Sequence, residues 1–147
     1  VSIRLSPERF GLRLAEVREV AQQFMTEGAI DFLDMSLWDV FKEPEEEEFK
    51  GCSLLSYLAD LDRGDVKLGV AGKVNSVRAA NECLEQGCDF VLLGRAAILH
   101  HDFPLQAEKD EDFTAVSLPV TADYLRGQGL GEDFVVYMSG WKGFVAA

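Results

Sequence analysis

Two short stretches of this chain set a glycine beside a basic residue, Val70-Ala71-Gly72-Lys73 and Leu92-Leu93-Gly94-Arg95. Each starts as an apolar, strand-like run and passes into a helical pattern. At such a junction glycine lets the backbone approach an anion closely, and the N–H groups of the next helical turn point at it. Two such turns side by side could hold one phosphate, with Arg95 as a bidentate donor. The competing explanation is that each glycine only relieves a tight strand-to-helix turn, with Lys73 and Arg95 in solvent. Arg4 is the third residue with chemical potential, because it lies within the alternating segment Val1-Ser2-Ile3-Arg4-Leu5. A charge inside a strand is costly unless it faces a site or a partner. Arg4 therefore either meets a polar cofactor ring or lies solvated along an edge.

Other residues offer less. The run Glu43-Pro44-Glu45-Glu46-Glu47-Glu48 reads as a solvated loop, since nothing forces its carboxylates to converge on a metal. His100 and His101 fall where a helix ends, which suits a capping or surface role. Cys83 and Cys88 have no His or Cys partners at zinc-site spacing and read as structural thiols. Trp38 and Phe41 follow a strand end, where they line a pocket or simply pack.

The elements that must position these residues follow from periodicity. Strands are expected near Val1–Leu5, Ile30–Ser36, Val66–Ala71 and Phe90–Leu93, the last a fully apolar run of the kind buried on both faces of a parallel sheet. Ser6-Pro7-Glu8 reads as a helix start, leading into a helix from Phe10 to Phe24 with Leu14, Val17, Val20, Ala21 and Phe24 inward and a stop at Glu27-Gly28. Further helices are expected over Ser53–Leu61, from Asn75 or Ser76 to Gln86 with Val77, Ala80 and Leu84 inward, and from Ala96. Beyond Pro104 the pattern weakens, with two shorter helices near Thr121–Gln128 and Glu132–Ser139.

Alternating strands and helices give an α/β fold with a parallel sheet and right-handed crossovers. Four units cannot close a TIM barrel of ~250 residues. The choice lies between a small open sheet and half of a barrel. The abrupt first strand, without an initiator Met, favours half a barrel cut from something longer. The expected organisation is four β-α units over residues 1–104 and a helical extension over 105–147 packing on the same domain. In barrels of this kind phosphate binds between the loops after strands seven and eight. Gly72 and Gly94 would occupy those loops.

Composition narrows the function classes. The 147 residues are 48% apolar, with ten Phe, three Tyr and two Trp, enough for a sizeable core. A net charge of −12 repels phosphate backbones and anionic headgroups, which argues against nucleic-acid or membrane-surface binding. No apolar run approaches the ~20 residues of a membrane span. Three scattered cysteines suit a reducing, cytoplasmic setting.

Arg4-Leu5-Ser6-Pro7, Asp31-Phe32-Leu33-Asp34-Met35-Ser36, Leu68-Gly69-Val70-Ala71-Gly72 and Asp89-Phe90-Val91-Leu92-Leu93-Gly94-Arg95, with the downstream Asp102-Phe103-Pro104, resemble the second half of the Old Yellow Enzyme family. These are FMN-dependent NADH:flavin oxidoreductases built on a TIM barrel. The resemblance covers nearly the whole chain and implies its C-terminal half, strands five to eight with the helices that follow. It implies that Arg4 sits against the pyrimidine edge of the flavin and offsets negative charge at N1 and O2 in the reduced state. It implies that Ala71, Gly72, Gly94 and Arg95 bind the FMN phosphate, and that NADH or NADPH is the hydride donor for reduction of an activated alkene. The substrate-anchoring His pair or His/Asn pair and the proton-donating Tyr of that family belong to its first half. The chain alone is therefore expected to be inactive and to self-associate or pair with such a half. A barrel enzyme acting on a phosphosugar and a non-enzymatic, self-associating half-barrel are the alternatives.

Overall fold

Strands joined through helices must run parallel, because each helix carries the chain back to the starting end of the sheet. The computed structural model, which describes residues 1–146, has this architecture. Strands β1 (Ser2–Leu5), β2 (Phe32–Ser36), β3 (Lys67–Ala71) and β4 (Phe90–Leu92) form one parallel sheet in the order β1-β2-β3-β4. Helices α1 (Leu14–Glu27), α2 (Leu54–Ala59) and α3 (Val77–Glu85) make the crossovers, and α4 (Arg95–Leu99) follows β4. Three more helices complete the chain, α5 (Phe103–Lys109), α6 (Ala122–Gly127) and α7 (Glu132–Ser139).

The two faces of the sheet differ because side chains alternate along every strand. On one face Leu33, Met35, Leu68 and Val70 are fully buried. They form one core with Leu14, Val17, Ala21 and Met25 of α1, Leu54, Leu55 and Leu58 of α2, and Cys83 of α3. The opposite face carries Arg4, Phe32, Asp34, Ser36, Gly69, Ala71, Phe90 and Leu92, as the register requires. None of these belongs to that core. At its lower end Phe32 and Phe90 meet edge-to-face at 5.4 Å between centroids, an aromatic contact worth ~0.5–1.5 kcal/mol beyond area burial. Phe90 lies over Gly69, its register partner, where an added Cβ would come within 2.2 Å of the ring.

The chain divides into two compact units, residues 1–74 with 79–93, and residues 75–78 with the chain from Gly94 on. The sequence pattern draws its line at Pro104. The second unit has its own core of Leu99, Val120, Leu125, Val135, Met138 and Phe144. Within it Ser76 and Thr114 form an antiparallel bridge, and Tyr124 Oη donates to the Leu99 carbonyl.

Several boundaries and burials correct the sequence reading. Helix α1 starts at Leu14, after an eight-residue loop, and Ser6-Pro7-Glu8 lies outside it. Its stop is as expected, with Gly28 in the left-handed conformation at φ 62°. Val20 is exposed and Met25 takes the inward place beyond Phe24. In α3 Leu84 is exposed and Cys83 is the buried residue. All three residues of β4 are only half-buried, because β4 is an edge strand with a neighbour on one side alone. Helix α5 appears where the apolar repeat is too short to announce it. No helix among the described residues is long and apolar enough to cross a membrane.

Candidate functional site

The register of β1 and β2 sets Arg4 opposite Asp34 on the face of the sheet away from the main core. Arg4 Nη1 lies 3.4 Å from Asp34 Oδ2, and Arg4 Nη2 donates to Ser36 Oγ at 3.2 Å. The two carriers of charge are unequally hydrated. Arg4 is 58% exposed, whereas the Asp34 side chain is 11% exposed. Asp34 Oδ1 is buried without a hydrogen-bond partner. Burial pushes the Asp34 carboxyl above its ordinary range, and the Arg4 guanidinium opposes that rise. On its other side Asp34 faces Gly69 in register, which brings no polar group. Arg4 therefore lies on an edge strand, a cation tethered by Asp34 and Ser36 and otherwise largely in solvent.

Asp34 and Ser36 are the residues that reading the sequence for sites missed. The signal was present. Asp34 interrupts the apolar strand Phe32-Leu33-Met35, and parallel pairing from the first residues of the two strands aligns it with Arg4.

The carboxyl ends of the strands, where open α/β sheets bind ligands, carry unusual backbone. Phe10, Trp38 and Lys73 all have positive φ, at 64°, 64° and 53°. They follow β1, β2 and β3 in turn. Such conformations are uncommon for residues other than glycine and collect at functional sites. Arg9 stacks its guanidinium over the exposed Trp38 ring at 4.0 Å, and Lys73 Nζ pairs with Asp39 at 2.9 Å. Phe41 is also exposed. Leu37 and Val40, between these groups, are buried and anchor the loop.

Ala71 and Gly72 join this rim through their carbonyls, which accept from Leu37 N–H at 2.7 Å and Val40 N–H at 3.2 Å. A Cβ on Gly72 would lie 2.9 Å from the backbone of Trp38 and Asp39. Close passage of the β2 loop is therefore a sufficient reason for glycine here. Strand β4 ends level with β3, with Leu92 opposite Ala71. Gly94 opens the second unit as the cap of α4, with φ −96° and ψ −97°, outside the helical and extended wells. A Cβ there would meet nothing within 4 Å, so packing does not demand glycine. Arg95 is exposed.

The acidic run does more than sit in solvent. Glu46 accepts from the Leu14 N–H at the start of α1 and from Arg13 Nη2 at 2.8 Å. Burial opposes its ionisation, yet these bonds win and hold the carboxyl below the ordinary range. Glu8 accepts from the Glu45 N–H and pairs with Lys42 Nζ at 2.8 Å. The loops after β1 and β2 are thereby locked together. Among the described residues no group of His, Cys, Asp and Glu is placed to hold a metal ion.

The histidines and cysteines have structural partners. His100 Nε2 accepts from Val116 N–H at 2.9 Å, and burial lowers its pKa, so the neutral ring is the acceptor. His101 Nδ1 contacts Gln128 Oε1 at 3.0 Å. Burial pushes the Cys83 thiol up to about 11 and the Cys88 thiol up to about 12, which leaves both unreactive near neutral pH. In comparisons with known proteins, no family model and no curated protein matches the chain.

Proposed function

We propose that this chain is the FMN-phosphate-binding part of an NAD(P)H-dependent flavin oxidoreductase of the Old Yellow Enzyme type, one that reduces activated alkenes. Its sheet would be strands five to eight of a TIM barrel. The observation that supports this reading is Arg4, tethered by Asp34 and Ser36 yet largely exposed, on the sheet face opposite the main core. A barrel's inner face is where such a cation would meet a cofactor ring. The residues fit the group: Arg4 offers donors and positive charge to the N1 and O2 edge of a flavin. The buried Asp34 Oδ1 without a hydrogen-bond partner supports a polar ligand on this face.

Ala71, Gly72, Gly94 and Arg95 would hold the phosphate. Gly94, with nothing in the space a Cβ would fill, leaves room for a ligand at that turn. When bound, FMN supplies the hydride relay between NADH or NADPH and the alkene, while the protein supplies orientation and electrostatics. A phosphosugar would use the same turns but has no need of Arg4. The chain alone should turn over no alkene, because its two histidines are engaged by Val116 and Gln128 and no free pair remains to polarise a substrate carbonyl. Two edge strands, β1 and β4, also call for a cover. Self-association, or pairing with a separate first half, would supply it.

Titration with FMN, followed by quenching of flavin fluorescence, tests the assignment. Saturable binding is expected, with Arg95→Ala weakening it about tenfold through loss of a charge-assisted phosphate contact. Absence of binding at micromolar FMN overturns the assignment. Addition of NADH or NADPH and an activated enone should then produce no alkene reduction.

A further inference from the structure

Asp34 makes no contact with the cofactor in the reading above, yet it is the one buried charged residue of the chain among those described. Its surroundings define what it can do. Register places Arg4 on β1 at one side and Gly69 on β3 at the other, so Arg4 is the only charged group opposite it across the sheet. The ion pair at 3.4 Å uses Oδ2, and Oδ1 is left without a donor. A buried carboxylate held by a single cation depends on that cation more than the cation depends on it. Arg4, by contrast, is 58% exposed and has Ser36 Oγ as a further partner.

We propose that Asp34 is a positioning residue that fixes the guanidinium of Arg4 and sets the net charge Arg4 offers to a ligand. Because this rests on the flavin reading, the consequence is electrostatic. A ligand that becomes more negative beside Arg4 competes with Asp34 for one positive charge. With Asp34 ionised, Arg4 and Asp34 together are neutral, and stabilisation of the anionic form is held down. With Asp34 neutral, Arg4 acts with its full charge. The carboxylate thereby tunes how strongly the site prefers reduced over oxidised FMN, without touching the cofactor.

The test is the redox midpoint of FMN bound to the full chain at pH 8, for the unaltered protein, Asp34→Asn, Arg4→Gln and the double variant. In the titration two electrons pass from a reduced reference dye and one proton from solvent, leaving the negative charge on the pyrimidine edge. Asp34→Asn should raise the preference for reduced FMN about tenfold, equivalent to about 30 mV for a two-electron couple. In the Arg4→Gln background the same change should have no effect. An equal shift in both backgrounds, or none in the unaltered one, overturns the proposal while leaving FMN binding intact. Should FMN not bind at all, the flavin reading fails separately. The pairing is then decided by carbon NMR titration of the Asp34 carboxyl, which Arg4→Gln should move upward. An unmoved titration overturns it. Arg4→Gln replaces an exposed side chain and leaves Asp34 free to take up a proton, so the variant should fold and one of these readouts is available.

Discussion

At the scale of single residues, Gly69 shows how an ordinary-looking position acquires a strict requirement. It lies in the middle of β3, where glycine forfeits packing and backbone entropy. The register sets it opposite Phe90, and the ring occupies the space where a side chain would stand. Gly69→Ala should destabilise the fold by ~1–3 kcal/mol, the usual cost of overpacking. Urea unfolding monitored by fluorescence measures this. The penalty should largely vanish in a Phe90→Ala background, since the clash needs both partners. An undiminished penalty there would place the strain elsewhere. Sequence reading did not mark this glycine, because its partner is identified only by cross-strand register. The glycines at 72 and 94 were visible, since a strand-end glycine beside a basic residue is a local pattern. What was invisible was that Gly72 has a steric reason of its own, supplied by Trp38 and Asp39 on another loop.

At the scale of elements, the end of α1 was legible and its beginning was not. Gly28 stops the helix by its own backbone conformation, and that signal lies at the spot. The beginning is controlled from a distance. Arg13, in the cap position, makes no side-chain bond to the helix, and Glu46 delivers a carboxylate to Leu14 N–H across a separation of 32 residues. An anion at a helix N-terminus satisfies free N–H groups and complements the helix dipole. Ser6-Pro7-Glu8, which has a local start signature, instead forms the loop in which Glu8 binds Glu45 N–H. Replacement of Glu46 by Ala should therefore speed amide exchange at Leu14 and Ala15 more than at the last turn of α1. The pH dependence has a defined sign. The folded state holds Glu46 below its ordinary range, so its stabilising contribution is present above the unfolded value near 4.5 and is lost as pH falls through the lower folded value. Asp34 behaves oppositely. Its folded value is raised, so the favourable contribution exists at low pH and is lost as pH rises through that value. Acid unfolding of the Glu46→Ala variant should lose part of its dependence below pH 4.5, and unchanged acid sensitivity would show that the cap contributes nothing.

At the scale of the whole molecule, the α/β class and the parallel order of four strands were readable, because period and spacing repeat along residues 1–93. The second unit was harder to read, as its helices span only five to eight residues each and offer few apolar repeats. The sheet itself raises the question of what covers it. Edge strands are usually guarded by charge, proline or a bulge, but β4 is Phe90-Val91-Leu92, with no charge and no proline. Its Phe90 and Leu92 lie on the face away from the main core and are half-buried. This face and edge should draw a second copy of the chain, and light scattering at micromolar concentration should give a mass above 16.3 kDa. The net charge of −12 acts against that association by mutual repulsion. Since salt shortens the reach of such repulsion to ~3 Å at 1 M, the associated fraction should grow with ionic strength if apolar burial is the attraction. Leu92→Lys, which puts a charge on the same face, should reduce it at every salt concentration. A 16.3 kDa species that persists from low to high salt would mean that the sheet face is content in water, and neither self-association nor the barrel interior would then be needed to account for it.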